Sequence, residues 1–266
     1  MTEDTRLGEL LPQSITRYRD GRLSTEETQV AVEIPLTFVV NGHEAATLMC
    51  TPSHLDAYAH GFLFTSGFIS SAEDVISLDL DPVKWRMDIE IKAMPDPELL
   101  GKRVYTSGCG KGVMYTSVTE LAGRRPVEDQ TQVSGEKLIA LMSWLQTCSD
   151  LHKTTGGVHT AAISQGGAIP DFHIDDIGRH NAVDKVIGTL LMEKRSPEGL
   201  ILAGTGRISS EILHKARRMG ISILVSRGAP THQSLLLARD MGMTLVGFVR
   251  RTNFAVFTHP QRILAP

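Results

Sequence analysis

The sequence predicts an α/β protein in two parts: a smaller α+β domain over residues 1–130 and a three-layer α/β/α domain over residues 131–266. Three observations carry this. The last third alternates short apolar strands with amphipathic helices, the pattern of parallel pairing through right-handed crossovers. Asn41-Gly42 separates two apolar, β-branched runs, the strongest short hairpin signal. Between these regions the polar stretch GRRPVEDQTQVSG (123–135) reads as a linker.

Residues 1 to about 20 form a polar lead-in with no defined element. The runs flanking Asn41-Gly42, within AVEIPLTFVVNGHEAATLMC, form the hairpin. TPSHLDAYAHGFLFTSGFI follows as a helix, with Ser53 as N-cap and Asp56 in the first turn. Alternation in WRMDIEIKAM predicts a strand, closed by a turn at Pro95 and Pro97. Beyond the linker, EKLIALMSWLQTC has helical periodicity through Leu138, Leu141, Met142 and Leu145. Cys148 extends that apolar face and reads as core, as does Cys50 at the end of a hairpin strand. HTAAISQ and AIPDFHI are strand-like, and a helix runs from about Arg179 to Lys194. Strand LILAGT, helix ISSEILHKARRMG, strand ISILVS, helix APTHQSLLLARDMG and strand TLVGFV complete the chain. No internal repeat appears.

Charged residues are 21% of the chain and apolar residues 41%, ordinary for a soluble globular protein, and the formal net charge is −3. No global field therefore attracts nucleic acid or an anionic membrane, and no basic stripe with interleaved aromatics appears. Any anion site has to be local. The start MTEDT lacks a secretory pattern, and the longest apolar run, near Leu138 to Leu145, is too short to cross a bilayer, so a cytoplasmic protein is expected. Cysteines 50, 109 and 148 form neither a disulfide framework nor a metal-ligand spacing, which fits reduced thiols.

Cys109 differs from the other two. It sits in VYTSGCGKGVMY, where Gly108, Gly110 and Gly112 permit unusual backbone angles and leave the sulfur open on all sides. Lys111 either favours a thiolate or points into water.

In parallel sheets ligands bind at the carboxyl ends of the strands. Those ends read Gly204-Thr-Gly-Arg207, Ser226-Arg227-Gly228 and Phe248-Val-Arg-Arg-Thr-Asn253. Each carries an arginine, and two place glycines beside a helix start. Backbone N–H groups with arginine forks suit phosphate or another oxyanion, so the three ends are expected to converge on one crevice. Arg207 is a binding candidate on this ground alone. Asp176 and His180 begin an internal helix facing the same place, where they either hydrogen-bond a ligand or cap the helix. His159 is either functional or structural.

From residue 136 the order helix, strand, strand, helix, strand, helix, strand, helix, strand resembles the cytidine-deaminase fold. In that class two internal helix starts hold zinc through H-x-E and P-C-x-x-C signatures. Here they read Ile177-Gly-Arg-His-Asn181 and Gly204-Thr-Gly-Arg-Ile-Ser209, without cysteine and without a glutamate two residues after His180. Deaminase chemistry is not expected, nor a resident metal.

The segments VEIPLTFVVNG, SGCGKG, TGGVHTAA, DDIGRHNAVDKVIG, GRISSEI, ILVSRGAPT and LVGFVRRTNFAVFTHPQRI resemble the FdhD family, formate dehydrogenase accessory proteins that act as sulfur carriers. The resemblance runs from about residue 30 to the C-terminus, and Gly178-Arg-His-Asn-Ala-Val-Asp-Lys185 is its most specific string. It implies a sulfurtransferase that accepts sulfur from a cysteine desulfurase as a persulfide on Cys109. The sulfur then passes to the bis(molybdopterin guanine dinucleotide) form of the molybdenum cofactor, readying it for formate dehydrogenase. By the same resemblance Phe248, Val249, Arg250, Arg251, Thr252 and Asn253 contact that cofactor, which is bound as substrate. Many family members carry Cys-x-x-Cys at the reactive loop, whereas this chain has Cys109-Gly-Lys-Gly112. Dithiol exchange within the loop is thereby excluded; a persulfide needs one sulfur only. The alternative is a chaperone that binds and inserts the cofactor without chemistry. A homodimer, one chain's loop covering the neighbour's crevice, would bring Cys109 to a ligand held by the second domain.

Overall fold

The structure, a computed structural model, describes residues 8–94, 104–105, 113–114 and 126–265. β1 (Leu10–Arg19) and β2 (Arg22–Ala31) form an antiparallel ribbon around Asp20-Gly21, whose φ angles of 48° and 80° are those a tight hairpin demands. The polar lead-in is thus largely one arm of a hairpin. Nearly all its side chains face solvent, so no alternation of burial marked it as a strand.

β3 (Ile34–Val40) and β4 (His43–Cys50) pair about Asn41-Gly42 as the sequence predicts. α1 (Leu55–Ser66) follows, its cap differing from expectation. His54, in the left-handed conformation at φ 52°, holds the N-cap position with no side-chain bond, and the Ser53 hydroxyl turns to Thr51 instead. β5 (Val75–Asp81) and β6 (Arg86–Ile91) complete a sheet of order β4-β3-β6-β5, with β3 and β6 parallel. β7 (Val104–Tyr105) and β8 (Val113–Met114) pair antiparallel. Cys109, Lys111 and the glycines around them, like the turn at Pro95 and Pro97, lie outside the described residues.

Residues 126–132 carry no helix or strand. After them come β9 (Val133–Ser134) and α2 (Gly135–Leu145), whose N-cap Ser134 accepts from Lys137 N. Next are α3 (Asp150–Thr155), β10 (His159–Gln165), β11 (Ile174–Asp176) and α4 (Arg179–Met192). The alternation β12 (Leu200–Gly204), α5 (Ser210–Arg218), β13 (Ile223–Ser226), α6 (His232–Asp240) and β14 (Thr244–Arg250) follows. β15 (Asn253–Val256) and β16 (Ile263–Leu264) end the chain. The strand expected over AIPDFHI is displaced to Ile174–Asp176, because Pro170 brings no N–H to a ladder.

Six strands form one mixed sheet, β11-β10-β12-β13-β14-β15, in which β12, β13 and β14 are parallel. Its two faces bury different residues. Leu138, Leu141, Met142 and Leu145 of α2 pack on Ile201, Ile223, Val246 and Val249. On the other face Val186, Leu213 and Ala238 of α4, α5 and α6 belong with Leu202, Leu224 and Leu245 to a larger cluster. That cluster also contains Leu36, Phe38, Tyr58 and Phe62, so the N-terminal sheet and α1 share it.

The join between α1 and α4 is unusually close. A Cβ on Gly61 would stand 1.8 Å from the Asp184 carbonyl oxygen, and one on Gly188 1.8 Å from that of Ala57. Only glycine at both crossings lets the helices approach so far. Two buried ion pairs brace the same join: Asp176 with Lys185 at 2.7 Å, and Asp184 with Lys215 at 2.8 Å. Thr51 and Thr65 from the N-terminal half hydrogen-bond into these pairs. Asn181 adds bonds to Tyr58 Oη and to the Met49 carbonyl, each 2.8 Å. Among the described residues no helix is long and apolar enough to cross a membrane.

Candidate functional site

The carboxyl ends of β12, β13 and β14 are hydrogen-bonded into one unit. Ser226 Oγ donates to the Gly206 carbonyl at 2.5 Å and accepts from Gly228 N at 2.9 Å. Ile208 N donates to Ala229 O and Thr231 N to Ile208 O, stitching the loop before α5 to the loop before α6. Phe248 N donates to Gly228 O at 3.1 Å, and Arg250 Nη1 donates to the Arg227 carbonyl at 2.8 Å. A Cβ on Gly228 would lie 2.9 Å from the Gly206 oxygen, so glycine is what lets these loops touch.

Beneath the first two ends lies a small crevice lined by Thr160, Arg179, Thr205, Gly206, Arg207 and Ser226, with Leu202, Val183 and Ile212 below. Arg207 belongs to it, as the strand-end argument expected. The run Phe248–Asn253 stands beside the crevice and does not line it. Its members differ in what they offer. Arg250, Arg251, Thr252 and Asn253 are exposed, and Phe248, also exposed, leans on Phe257 with ring centroids 5.8 Å apart. Phe248 and Arg251 hold φ values of 56° and 38°, where β14 bulges and turns tightly into β15. Val249 alone points into the core under α2, 2% exposed, and presents only its backbone to the rim.

Arg179 is the residue that sequence reasoning missed here. It opens α4, and the missing Cβ of Gly206 leaves room for its side chain, which such an atom would meet at 2.7 Å. The signal was present in the Gly178-Arg-His-Asn string, read as a family mark rather than as chemistry.

Asp176 braces and caps. Its Oδ1 accepts from Gly178 N and Asn181 Nδ2, and its Oδ2 from Thr51 and Lys185. His180 Nε2 stands 3.1 Å from Glu211 Oε2 and 3.2 Å from Ser209 Oγ, joining the starts of α4 and α5. Burial and then the Arg179 guanidinium hold its pKa well below the usual histidine range, against the pull of Glu211. A neutral ring hydrogen-bonded through Nε2 to Ser209 Oγ fits the geometry. His159 Nδ1 meets Thr205 Oγ1 at 3.4 Å, and burial lowers its pKa.

Cys50 is wholly buried, and burial pushes its thiol up to about 12, as expected of a packing residue. Cys148 is partly buried and packs against the cluster under α2, as expected, though it is not fully enclosed because it lies past the end of that helix. Among the described residues no group of three histidine, cysteine, aspartate or glutamate side chains is placed to hold a metal.

Fold and rim together define a mixed α/β protein with a crevice at parallel strand ends and exposed arginines around it. The chain matches the FdhD/NarQ family over residues 31–264, and it belongs to that family. It is 38% identical over 255 residues to the sulfur carrier protein FdhD of Staphylococcus haemolyticus, covering 95% of this chain and 96% of that one. It is equally identical to the sulfur carrier protein FdhD of Geobacillus kaustophilus, over 94% of this chain and 95% of that one. The crystal structure of a proposed formate dehydrogenase accessory protein from Desulfotalea psychrophila superposes with a TM-score of 0.78. That protein is 27% identical, and the match covers 97% of this chain and 100% of the other.

Proposed function

We propose that this chain is a sulfur carrier in the maturation of formate dehydrogenase. The Cys109 thiolate attacks the outer sulfur of a cysteine desulfurase persulfide. A new S–S bond forms at Cys109 as the donor's S–S bond breaks, and the donor cysteine leaves as a thiolate. The Cys109 S–S bond then breaks with its electron pair left on Cys109 as a thiolate. The outer sulfur passes to the bis(molybdopterin guanine dinucleotide) form of the molybdenum cofactor, a substrate taken in its reduced state. Its metal gives the two electrons that bring the sulfur to sulfide level. The observation that carries this reading is the near full-length similarity to proteins named sulfur carriers.

The binding half of the proposal draws on the strand ends. Arg207 and the exposed members of the run Phe248–Asn253 take the guanine dinucleotide phosphates, for which planar guanidinium forks are better suited than lysine. Three loops tied to one another hold those forks in fixed relation, which limits the ordering cost of binding. The six-stranded sheet serves as a cytidine-deaminase-like frame turned from hydrolysis to carriage. Residues 1–130 supply the reactive loop and residues 131–266 the cofactor seat, in the cytoplasm, with a homodimer as the means of bringing them together.

The test is direct. After incubation with a desulfurase and cysteine, then trapping with iodoacetamide, mass spectrometry of the tryptic peptide 104–111 should show one extra sulfur. Cys109→Ala should bind guanine nucleotide normally and fail to restore formate dehydrogenase activity in a strain lacking this protein. Restoration by the alanine variant overturns the persulfide role and leaves the cofactor chaperone, the reading that the glycine at position 112 keeps open.

A further inference from the structure

The crevice under the ends of β12 and β13 encloses a hollow of about 30 Å³. That is close to the roughly 30 Å³ one molecule takes in liquid water, so the hollow has room for a single heavy atom. Its floor is apolar: Val183, Leu202, Ile212 and Leu224, none more than 6% exposed. Its rim carries Arg179 from the start of α4 and Arg207 from the loop before α5.

The hydroxyls on its wall are already committed to the protein. Thr160 Oγ1 donates to Asp175 Oδ1 at 2.6 Å, and Ser226 Oγ donates to Gly206 O while accepting from Gly228 N. Thr205 Oγ1 accepts from Thr160 N at 3.1 Å and stands 3.4 Å from His159 Nδ1. A water held there would find too few of the polar partners it needs. The nearby carboxylates are turned elsewhere, Asp175 to Ser149 and Thr160, Glu211 to His180. Among the described residues no carboxylate lines the hollow.

These features select a ligand. A whole phosphate is several times too large and stays on the rim. A small, strongly hydrated anion such as fluoride would lose its water and find no free hydroxyl in return. A single large, polarisable anion gains dispersion contacts with the floor and pairs with guanidinium groups, which are themselves weakly hydrated.

We propose that this hollow is a subsite for one sulfur anion, either hydrosulfide or the outer sulfur of a persulfide, beside the rim that takes the nucleotide phosphates. Its ligand class rests on the sulfur-carrier reading above; its preference for a soft anion of one heavy atom does not. Arg179, which the phosphate reading leaves unused, thereby gains a ligand.

The experiment uses the whole chain as Cys109→Ala, so that the loop thiol takes no part. Calorimetry in chloride-free buffer compares sodium hydrosulfide, bromide, fluoride and inorganic phosphate. Hydrosulfide and bromide should bind, fluoride should not, and phosphate should fail to displace bromide. Val183→Ile adds a methylene that takes up much of so small a hollow. It should weaken bromide binding about tenfold and leave guanine-nucleotide binding unchanged. The anion series on the unfilled hollow decides the matter even if Val183→Ile folds poorly. Absence of hydrosulfide and bromide binding overturns the proposal, as does unchanged bromide binding in a folded Val183→Ile. Loss of nucleotide binding in that folded variant also overturns it, since the hollow would then hold part of the nucleotide. Bromide titration of a chain carrying the Cys109 persulfide separates the two sources. Exclusion of bromide identifies the outer sulfur as the ligand, and undiminished binding identifies free hydrosulfide. The carrier reading is checked apart, on peptide 104–111: a Cys109 that gains no sulfur beside a hollow that binds hydrosulfide defeats that reading and not this one.

Discussion

Lys185 Nζ lies 2.7 Å from Asp176 Oδ2, and neither side chain has any solvent exposure. The ammonium also donates to the Thr51 carbonyl at 3.0 Å and to Thr51 Oγ1 at 2.8 Å, so the pair ties the end of β4 to the start of α4. Attraction inside the core offsets the loss of hydration only because both partners are present and every remaining lone pair is used. The string DDIGRHNAVDKVIG, one of those that carry the family resemblance, thus contains structural electrostatics.

Removing one partner is therefore expensive. Lys185→Met should cost about 3–5 kcal/mol in denaturant unfolding, since it strands a carboxylate in the core. Asp176→Leu combined with Lys185→Met should recover much of that loss. A single substitution costing less than about 1 kcal/mol would show that water reaches the site.

The two helix-crossing glycines give a steric prediction. An alanine at Gly61 or Gly188 puts a carbon within bonding distance of a backbone oxygen that cannot swing away, so α1 and α4 must part. Either substitution should destabilise by about 3 kcal/mol or more, at the upper end of overpacked cores. Thermal melting of the purified variants checks this, and an unchanged midpoint would mean the helices slide apart freely.

What the sequence revealed follows from how burial is distributed. The alternating last third was legible because strands such as Leu200–Gly204 and Ile223–Ser226 are buried on both faces, while α6 buries only Ser234 and Ala238, one turn apart. The ribbon Leu10–Ala31 was not, because it buries little and its one signal, Asp20-Gly21, had no apolar runs beside it. The start of α1 escaped because His54 adopts a left-handed conformation that no capping rule anticipates. At the site, the arginines were visible from their place after apolar strands. The burial of Val249 and the approach of Arg179 to Gly206 depend on a bulge and on a contact distant in sequence, and neither leaves a local pattern.

The rim should divide by function. Arg250→Ala should weaken guanine-nucleotide binding by about 1–3 kcal/mol in calorimetry, the scale of a lost charge-assisted contact, and Arg207→Ala should do likewise. Val249→Ala should lower the melting temperature and leave affinity unchanged, because its side chain faces α2. Equal binding by Arg250→Ala and the unmutated chain would move the nucleotide away from these strand ends.

His173 Nε2 lies 3.6 Å from Asp175 Oδ2, a carboxylate that also accepts from Ser149 Oγ and Thr160 Oγ1, and this pair makes stability depend on pH. The imidazole titrates near 6.5 when unperturbed and at about 10 in the folded chain, raised mainly by Asp175. Below pH 6.5 folded and unfolded chains both hold the proton, and the ion pair contributes in full. Between 6.5 and about 10 the unfolded chain releases it while the folded chain keeps it, so the contribution shrinks steadily and is gone above that range. Other groups titrate in the same window, and the comparison with His173→Gln removes their share. Urea midpoints at about pH 6, 8 and 9.5 should fall faster for the unmutated chain than for the variant, the two curves converging on the alkaline side. Parallel curves would mean that His173 is uncharged in the folded protein, and that Asp175 is held by Ser149 and Thr160 alone.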